Sequence, residues 1–379
     1  FLKKIGLRAT KSDPCLYYFV ERGELLLLLL YVDDILLAAT TNELRDRYYQ
    51  FISEEYTVKM KPTLDKYLKV ELVHHKEEQL VTMSLSGYIR DMAEKFNITP
   101  KPHITTPMIP NTVLKTASMV QETAAERDYV RNFPLRELLG VLNYVAITCR
   151  PDIQYAVSYL ARFTADPTNL VCRAVKRVMQ YLLNTHATKL HLGGEVPSLA
   201  AMCDSDYGGD VVSYKSTSGH VVYLGNGPVI WYSKQQTIVA QSTAEAEYLA
   251  LTPTSQSILG IRLLLLEIPY VTIHQHASTT IWDDNAAAII WSDNPIVNKR
   301  TKHIPIKYHY IRDLVEDCIV KCTKIDTKKN CSDLLTKTVA AMIFKTLFPL
   351  LMGHVRLPED LAVKMTNMKS EYLLVNCEY

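Results

Sequence analysis

The sequence predicts a mixed α and β fold divided into at least two parts, on three observations. Residues 13–39 read as a β-hairpin, prolines cluster just after residue 99, and from Leu199 the pattern runs strand, strand, helix, strand, helix. At 379 residues the chain also exceeds the ~250–300 at which one core stops growing, so two or three domains are expected.

Taken in order, Cys15 to Val20 and a leucine-rich strand flank a turn at Glu21-Arg22-Gly23-Glu24. Asn42 to Glu54 reads as a polar-capped helix, Tyr67 to His75 with Gln79 to Ser84 as a second hairpin, and Ser86 to Phe96 as a helix with Ile89, Met92, Ala93 and Phe96 on one face. Pro100, Pro102, Pro107 and Pro110 and the polar stretch after them mark residues 97–130 as a break, with 111–130 the expected linker. Two helical stretches follow, Arg136 to Thr148 and Ile153 to Phe163, parted by Pro151 with Asp152 placed to cap the second. On a third helix, Leu170 to Leu183, residues Arg173, Lys176, Arg177 and Gln180 share one side, which reads equally as a phosphate-tracking face or a solvated one. Gly193-Gly194 and Pro197 mark the second boundary. Beyond it come strands at Ala200 to Cys203, His220 to Leu224 and Val229 to Tyr232, then a long helix, Thr243 to Leu266, that Pro253 should kink. A strand at Thr280 to Trp282, a helix at Ala286 to Ser292, a helix-like stretch broken at Pro305, a strand at Ile319 to Ile325 and a closing helix opened by Ser332 to Thr336 complete the pattern.

Composition excludes several classes. With 48% hydrophobic and 22% charged residues the chain is globular, and its net charge of +2 does not by itself indicate a nucleic-acid partner. The eight cysteines lack a C-x-x-C pair and read as reduced thiols inside a cell; Cys318 and Cys322 lie in a strand-like run and read as core cysteines rather than zinc ligands. There is no signal-peptide pattern, the first Met is Met60, and the chain reads as a piece of something longer.

The most informative run is Leu25 to Ala39, apolar throughout except for Asp33 and Asp34. Fifteen residues fall short of the ~20 that cross a bilayer, and two central acids would each cost about 2.5–3.5 kcal/mol there. No other stretch reads as a span. Buried adjacent carboxylates need a compensating charge, and the run holds no Lys or Arg, so a divalent cation at a hairpin tip is expected. A water-exposed polar turn is the alternative.

A second acidic set lies further on. Asp204 and Asp284 each follow a strand, Glu247 lies in the first turns of the long helix, and Asp333 sits near the start of the last one. Taken singly, each reads first as a solvated acid. As a set from four elements they can converge only around cations, which suggests two-metal hydrolysis of a phosphodiester, one ion activating water and the other stabilising the leaving oxygen.

The surrounding motifs run in order: Ser12-Asp13-Pro14-Cys15, Tyr31-Val32-Asp33-Asp34, Gly140 to Tyr144, Thr148 to Ile153, Asp204 to Asp210, Lys215 to Gly219, Ser233 to Gln236, Ala244 to Tyr248, Asp284-Asn285, Arg300 to Ile304 and Asp333 to Lys337. In these the chain resembles the C-terminal part of the Pol polyprotein of copia-type LTR retrotransposons, the end of the reverse transcriptase followed by RNase H. The resemblance implies an α+β palm/thumb remnant followed by an α/β RNase H-like domain, a mixed sheet flanked by helices. Its expected parts are a palm remnant at 1–110, the linker, a helical thumb or connection at 131–195, the RNase H-like domain at 199–340 and a tail at 341–379. It implies that Asp33 and Asp34 hold polymerase metals, and that Asp204, Glu247, Asp284 and Asp333 are catalytic ligands of two Mg²⁺ (or Mn²⁺) ions. Glu245 and Asp283 are near-duplicates of two of these. Lys299, Arg300, Lys302, Lys307 and Arg312, unaccompanied by any acid from Asn294 to Arg312, look in this context like a contact to hybrid backbone, as do Arg173, Lys176 and Arg177.

The implied partners are RNA–DNA hybrid, RNA template and DNA, with other Pol products or a second copy as further candidates and no membrane. The implied location is intracellular, in cytoplasmic particles and then the nucleus. The family's third polymerase carboxylate and its fingers lie upstream of residue 1, so this chain is not expected to extend a primer alone. Lys69 stands where the family usually has Gly, Thr338 where it has Pro, and Pro253 interrupts a helix. The expected function is hydrolysis of the RNA strand of RNA–DNA hybrids; the alternative is a catalytically dead or repurposed remnant that binds nucleic acid or partner chains.

Overall fold

The computed structural model describes residues 1–59, 64–193, 198–270, 278–293 and 304–357. The first 58 residues hold a core of their own. Strands β1 (Arg8–Ala9), β2 (Leu16–Glu21), β3 (Glu24–Tyr31) and β4 (Asp34–Ala39) form an antiparallel meander in chain order, followed by helix α1 (Asn42–Glu55). Thr41 caps α1 by accepting from the Leu44 amide. The leucine run has no polar alternation, so strand geometry alone selects the buried face. Leu26 and Leu28 enter the core with Leu37, Leu44, Tyr48 and Ile52, while Leu27 and Leu29 are half-buried on the other side.

The tip of this sheet corrects an expectation. Tyr31 pairs with Asp34 across a two-residue turn, Val32 has φ +51°, and Tyr31, Val32, Asp33 and Asp34 are all exposed. The leucines are covered by α1, but a tight turn projects past the covered part of the strands. Burial therefore does not oblige this pair to hold a cation.

A second four-stranded antiparallel sheet joins β5 (Lys66–Tyr67), β6 (Val70–His75), β7 (Leu80–Ser84) and, from much later in the chain, β8 (Leu190–Gly193). Helix α2 (Ser86–Lys95) follows β7. Within the stretch from 97 to 130, Ile104, Met108 and Leu114 are buried, and α3 (Ala124–Asn132) begins with a full capping box between Thr123 and Glu126. Helices α4 (Leu135–Thr148), α5 (Gln154–Ala161) and α6 (Asn169–Asn184) complete this part. Asp152 does not cap α5. It is buried and takes both Arg150 nitrogens at 2.7 and 2.8 Å, with the Tyr181 hydroxyl at 2.6 Å, because Arg150 is itself buried and needs a counter-charge.

The third sheet is mixed. It is built from β9 (Leu199–Ser205), β10 (Thr217–Leu224), β11 (Gly227–Gln235), β12 (Thr279–Asp283) and β13 (Val320–Lys324), in the order β11-β10-β9-β12-β13. The first three are antiparallel, and β9, β12 and β13 run parallel. Both faces are covered. Ala201, Cys203, Val222 and Ile281 join one core with residues of α7 (Thr243–Glu267), α8 (Ala286–Asp293) and α9 (Tyr310–Glu316). The alternate residues Ala200, Met202, Val221, Tyr223 and Trp282 join the core of α4, α5 and α6. The closing helix does not start at Ser332. Cys331–Leu335 is a 3-10 turn, and α10 (Ala341–Leu351) begins afterwards, burying Phe344, Leu347, Leu350 and Leu351.

Helix α7 corrects the statement that no other stretch reads as a span. Among the described residues it alone is long and apolar enough to cross a membrane by length and composition. Here it lies on the sheet with Glu245, Glu247 and Arg262 buried, and it runs unbroken through Pro253. Cys318 also differs from expectation, being exposed just before β13.

Two predictions follow from the backbone and the buried pair. Leu68 and Lys69 have φ of +49° and +70° in the turn between β5 and β6, a left-handed conformation that costs a residue with a Cβ about 1 kcal/mol. Lys69→Gly should therefore raise stability by about that amount, read as a higher denaturant midpoint with an unchanged slope. Asp152→Ala leaves the Arg150 guanidinium buried without its counter-charge and should cost about 3–5 kcal/mol by urea unfolding.

Candidate metal centre

Asp204 lies near the end of β9, Asp284 just past β12, and Glu247 in the first turns of α7. One carboxylate oxygen from each lies within 4.8 Å of the other two. Asp204 and Glu247 are 2% and 7% exposed, and Glu247 Oε2 is buried with no hydrogen-bond partner. An all-oxygen donor set with an orphaned buried oxygen suits a hard divalent cation such as Mg²⁺. The trio could hold a metal ion.

Local packing explains how the acids meet. The Gln236 amide nitrogen donates to Ser218 Oγ at 3.0 Å and to the Ala246 carbonyl at 2.8 Å, fixing the start of α7 against β10. Gly219 pairs across the sheet with Asp204, and a Cβ on it would lie 2.7 Å from Thr336 and 2.8 Å from Leu335. Its missing side chain lets the 331–335 turn approach the sheet. Asn330 secures that turn by donating to the Cys203 carbonyl at 2.8 Å.

The near-duplicate acids have other tasks. The Glu245 carboxylate accepts from the Gln241 amide at 2.8 Å, while its own amide is capped by Ser242. Asp283 accepts from the Asn285 amide at 2.7 Å and from the Cys203 thiol.

Asp333 is not part of the trio. It stands beside Asp204 through Lys337, whose Nζ lies 3.0 Å from Asp333 Oδ1 and 3.5 Å from Asp204 Oδ2. Thr336 Oγ1 also donates to Asp204 Oδ2. The sequence motif containing Thr336 and Lys337 was visible, but neither residue was given a role. A lysine four residues after an acid near other acids is the signal that could have found the second.

Burial, then the neighbouring acids, raises the Glu247 carboxyl well above the usual carboxylate range. Burial chiefly, with Asp204 adding, pushes Asp333 up to about 7 against the opposing pull of Lys337. Asp206, half-buried beside the cluster, and Asp283 also rise to about 7, each mainly through desolvation.

The other sequence candidates lie elsewhere. Asp33 and Asp34 line a separate open cleft of about 960 Å³, with Lys59, Lys66, Lys69 and Tyr144 also on its walls. Along α6, Arg173 is exposed and Lys176 half-buried. Arg177 is also half-buried and donates to Thr106 Oγ1 at 3.3 Å, while Gln180 donates to the Thr99 carbonyl, so this side of the helix holds down the 99–106 stretch. Arg312 is buried, bonded to the Trp291 carbonyl at 2.9 Å and set over the Tyr248 ring, rather than reaching outward. Lys307 is exposed. Lys299, Arg300 and Lys302 lie outside the described residues.

Fold and site together define a mixed α and β protein with a cluster of three carboxylates that could hold a metal ion. No family model matches the chain. It is 33% identical over 341 residues, 89% of its length, to the retrovirus-related Pol polyprotein from transposon TNT 1-94 of Nicotiana tabacum. It is 34% identical over 361 residues, 94% of its length, to the corresponding polyprotein from transposon RE1 of Arabidopsis thaliana. Against the putative transposon Ty5-1 protein YCL074W of Saccharomyces cerevisiae the identity is 30% over 259 residues, covering 68% of this chain and 82% of that protein. The chain belongs to the retrovirus-related Pol polyproteins of transposons. It spans about a quarter of the length of the first two relatives, 25% and 24%.

The raised carboxyls make a signed prediction. A folded pKa of about 7 against about 4 unfolded stabilises the metal-free chain below pH 4, and that contribution is lost as pH rises to 7. A cation that binds the ionised form reverses the loss. The melting-temperature difference between Mg²⁺ and EDTA should therefore widen from pH 5 to pH 8 and collapse in Glu247→Gln.

Proposed function

We propose that this centre hydrolyses the RNA strand of RNA–DNA hybrids, as an RNase H-like site at the end of a reverse transcriptase. The observation that carries the reading is the convergence of Asp204, Glu247 and Asp284 from a strand end, a helix start and a second strand end, with Glu247 Oε2 unpartnered. The sheet order, three antiparallel strands followed by two parallel ones, is in keeping with an RNase H-like domain. Asp204, Glu247 and Asp284 would hold Mg²⁺ or Mn²⁺, with Asp333 adjoining. When bound, the metal supplies an activated water and charge stabilisation on the phosphate.

The chain's own residues do the rest. The β9 and β12 backbones fix Asp204 and Asp284, Thr327 orients Asp284 by donating to Oδ2 at 2.6 Å, and Thr336 orients Asp204. An A-like hybrid would be read by its backbone shape and 2′-hydroxyls rather than by base edges, with Lys307 among the contacts and Lys299, Arg300 and Lys302 beside it in sequence. Asp33 and Asp34 would belong to an RNA-directed DNA polymerase site completed by further parts of a parent polyprotein.

A second reading has its own support. The left-handed Leu68–Lys69 turn and the helix-interior Pro253 are backbone costs in keeping with sequence drift, and so with a remnant that binds nucleic acid or partner chains without cutting. Cleavage of a labelled hybrid in Mg²⁺ separates the two. The parent should cut, and Asp284→Asn should lose more than about a hundredfold, beyond the 10–100-fold typical of residues that only support a ligand. Tight hybrid binding with no cutting in Mg²⁺ or Mn²⁺ would favour the remnant.

A further inference from the structure

We propose that His191 and His354 form a binding site for a borderline transition ion such as Zn²⁺, which clips the end of α10 to β8. The site is separate from the three carboxylates. His191 lies on β8, and His354 just past α10. The backbone brings them together. The His191 amide donates to the Met352 carbonyl at 3.0 Å, and the His354 amide to the Pro349 carbonyl at 2.8 Å. Between these bonds Gly353 takes φ +72°, and a Cβ on it would lie 2.5 Å from the His191 carbonyl oxygen. Only glycine lets the chain turn so close to the strand. The two imidazoles therefore stand 4.5 Å apart between ring centroids, inclined at 50°, and Phe348 packs T-shaped against His354 at 5.8 Å.

Hydrogen bonding prepares the rings for a cation. His354 Nε2 lies 2.7 Å from the Lys189 carbonyl oxygen, which can only accept, so that nitrogen carries the proton and Nδ1 keeps its lone pair. A ligating histidine commonly has its second nitrogen held by a carbonyl in this way. Burial, then His354, His75 and Lys189, holds half-buried His191 below the ordinary imidazole range against the opposing pull of Glu78. A pair of neutral imidazoles suits Zn²⁺ better than Mg²⁺, which prefers oxygen. Among the described residues no third ligand atom lies close enough to make a cluster with the pair, so water fills the remaining positions. The ion would fasten α10 at the join of two sheets. Its Leu350 carbonyl already accepts from Tyr223 of β10 at 3.1 Å, while β8 closes the second sheet.

Calorimetric titration of the full chain with Zn²⁺ tests this, with excess Mg²⁺ present to compete at the three carboxylates. The parent should show a Zn²⁺ site whose half-saturating concentration rises at least about tenfold in His354→Gln and in His191→Gln, a change of about 1.4 kcal/mol. Hydrogen exchange supplies a second readout. Zn²⁺ should slow exchange of the His191 amide, which is bonded to the Met352 carbonyl, in the parent and not in His354→Gln. No Zn²⁺ binding by the parent would overturn the proposal. So would an affinity that either folded variant keeps, which would put the ion on cysteines or carboxylates instead. His354 is exposed, so His354→Gln decides by itself should His191→Gln fail to fold.

Discussion

Three carboxylates within 4.8 Å, two of them almost fully buried, are the constraint around which the second half of this chain is organised. Like charges at that separation inside a protein repel strongly, and only positive charge or protonation relieves them. The neighbouring devices make sense as ways of holding the acids together against that repulsion. Gln236 ties the start of α7 to β10, Gly219 admits the 331–335 turn, Asn330 anchors that turn to β9, and Lys337 supplies a cation between two of the acids.

How much of this was legible depends on the kind of signal. Asp204 and Asp284 were readable because strand ends are visible in apolar runs and strand ends gather functional side chains in such sheets. The choice of Glu247 over Glu245 came from the family motif, and helix phase gives its physical sense. Two residues apart on a helix they point about 200° away from each other, so one can cap the helix while the other faces the sheet. The family motifs read as identifiers, but much of their content proves to be packing: Gly219 and Gln236 belong to the scaffold.

Other features were hidden for definable reasons. An apolar run does not reveal where its strands outlast their cover, so it could not decide between a buried, metal-holding tip and the water-exposed turn that Asp33 and Asp34 occupy. A run of positive charge does not reveal which member turns inward, and Arg312 is fixed by a carbonyl and an aromatic face far from it in sequence. The 97–130 stretch looked like a linker because four prolines cluster there and polar sequence follows. Yet Ile104, Met108 and Leu114 are spaced so that each reaches the core, and α6 bonds the intervening stretch through Gln180 and Asn184 to its carbonyls and through Arg177 to the Thr106 hydroxyl. Proline-rich composition forbids helix there without forbidding packing.

The sheet that carries the acids buries its second face against α4, α5 and α6, with Trp231 donating to the Ala146 carbonyl across the join and Ser158 to the Ser233 carbonyl. The hydrophobic interior takes in Leu190 from before residue 194 and Ala200 and Met202 from after residue 197. Recombination that carried off the acid-bearing sheet alone would strip Met202, Tyr223 and Trp282 of their cover and expose a broad apolar surface. The segment that can move between genes as a working piece therefore begins no later than α4. The first 58 residues, with an interior of their own, are the part that ancestry could exchange or lose most cheaply.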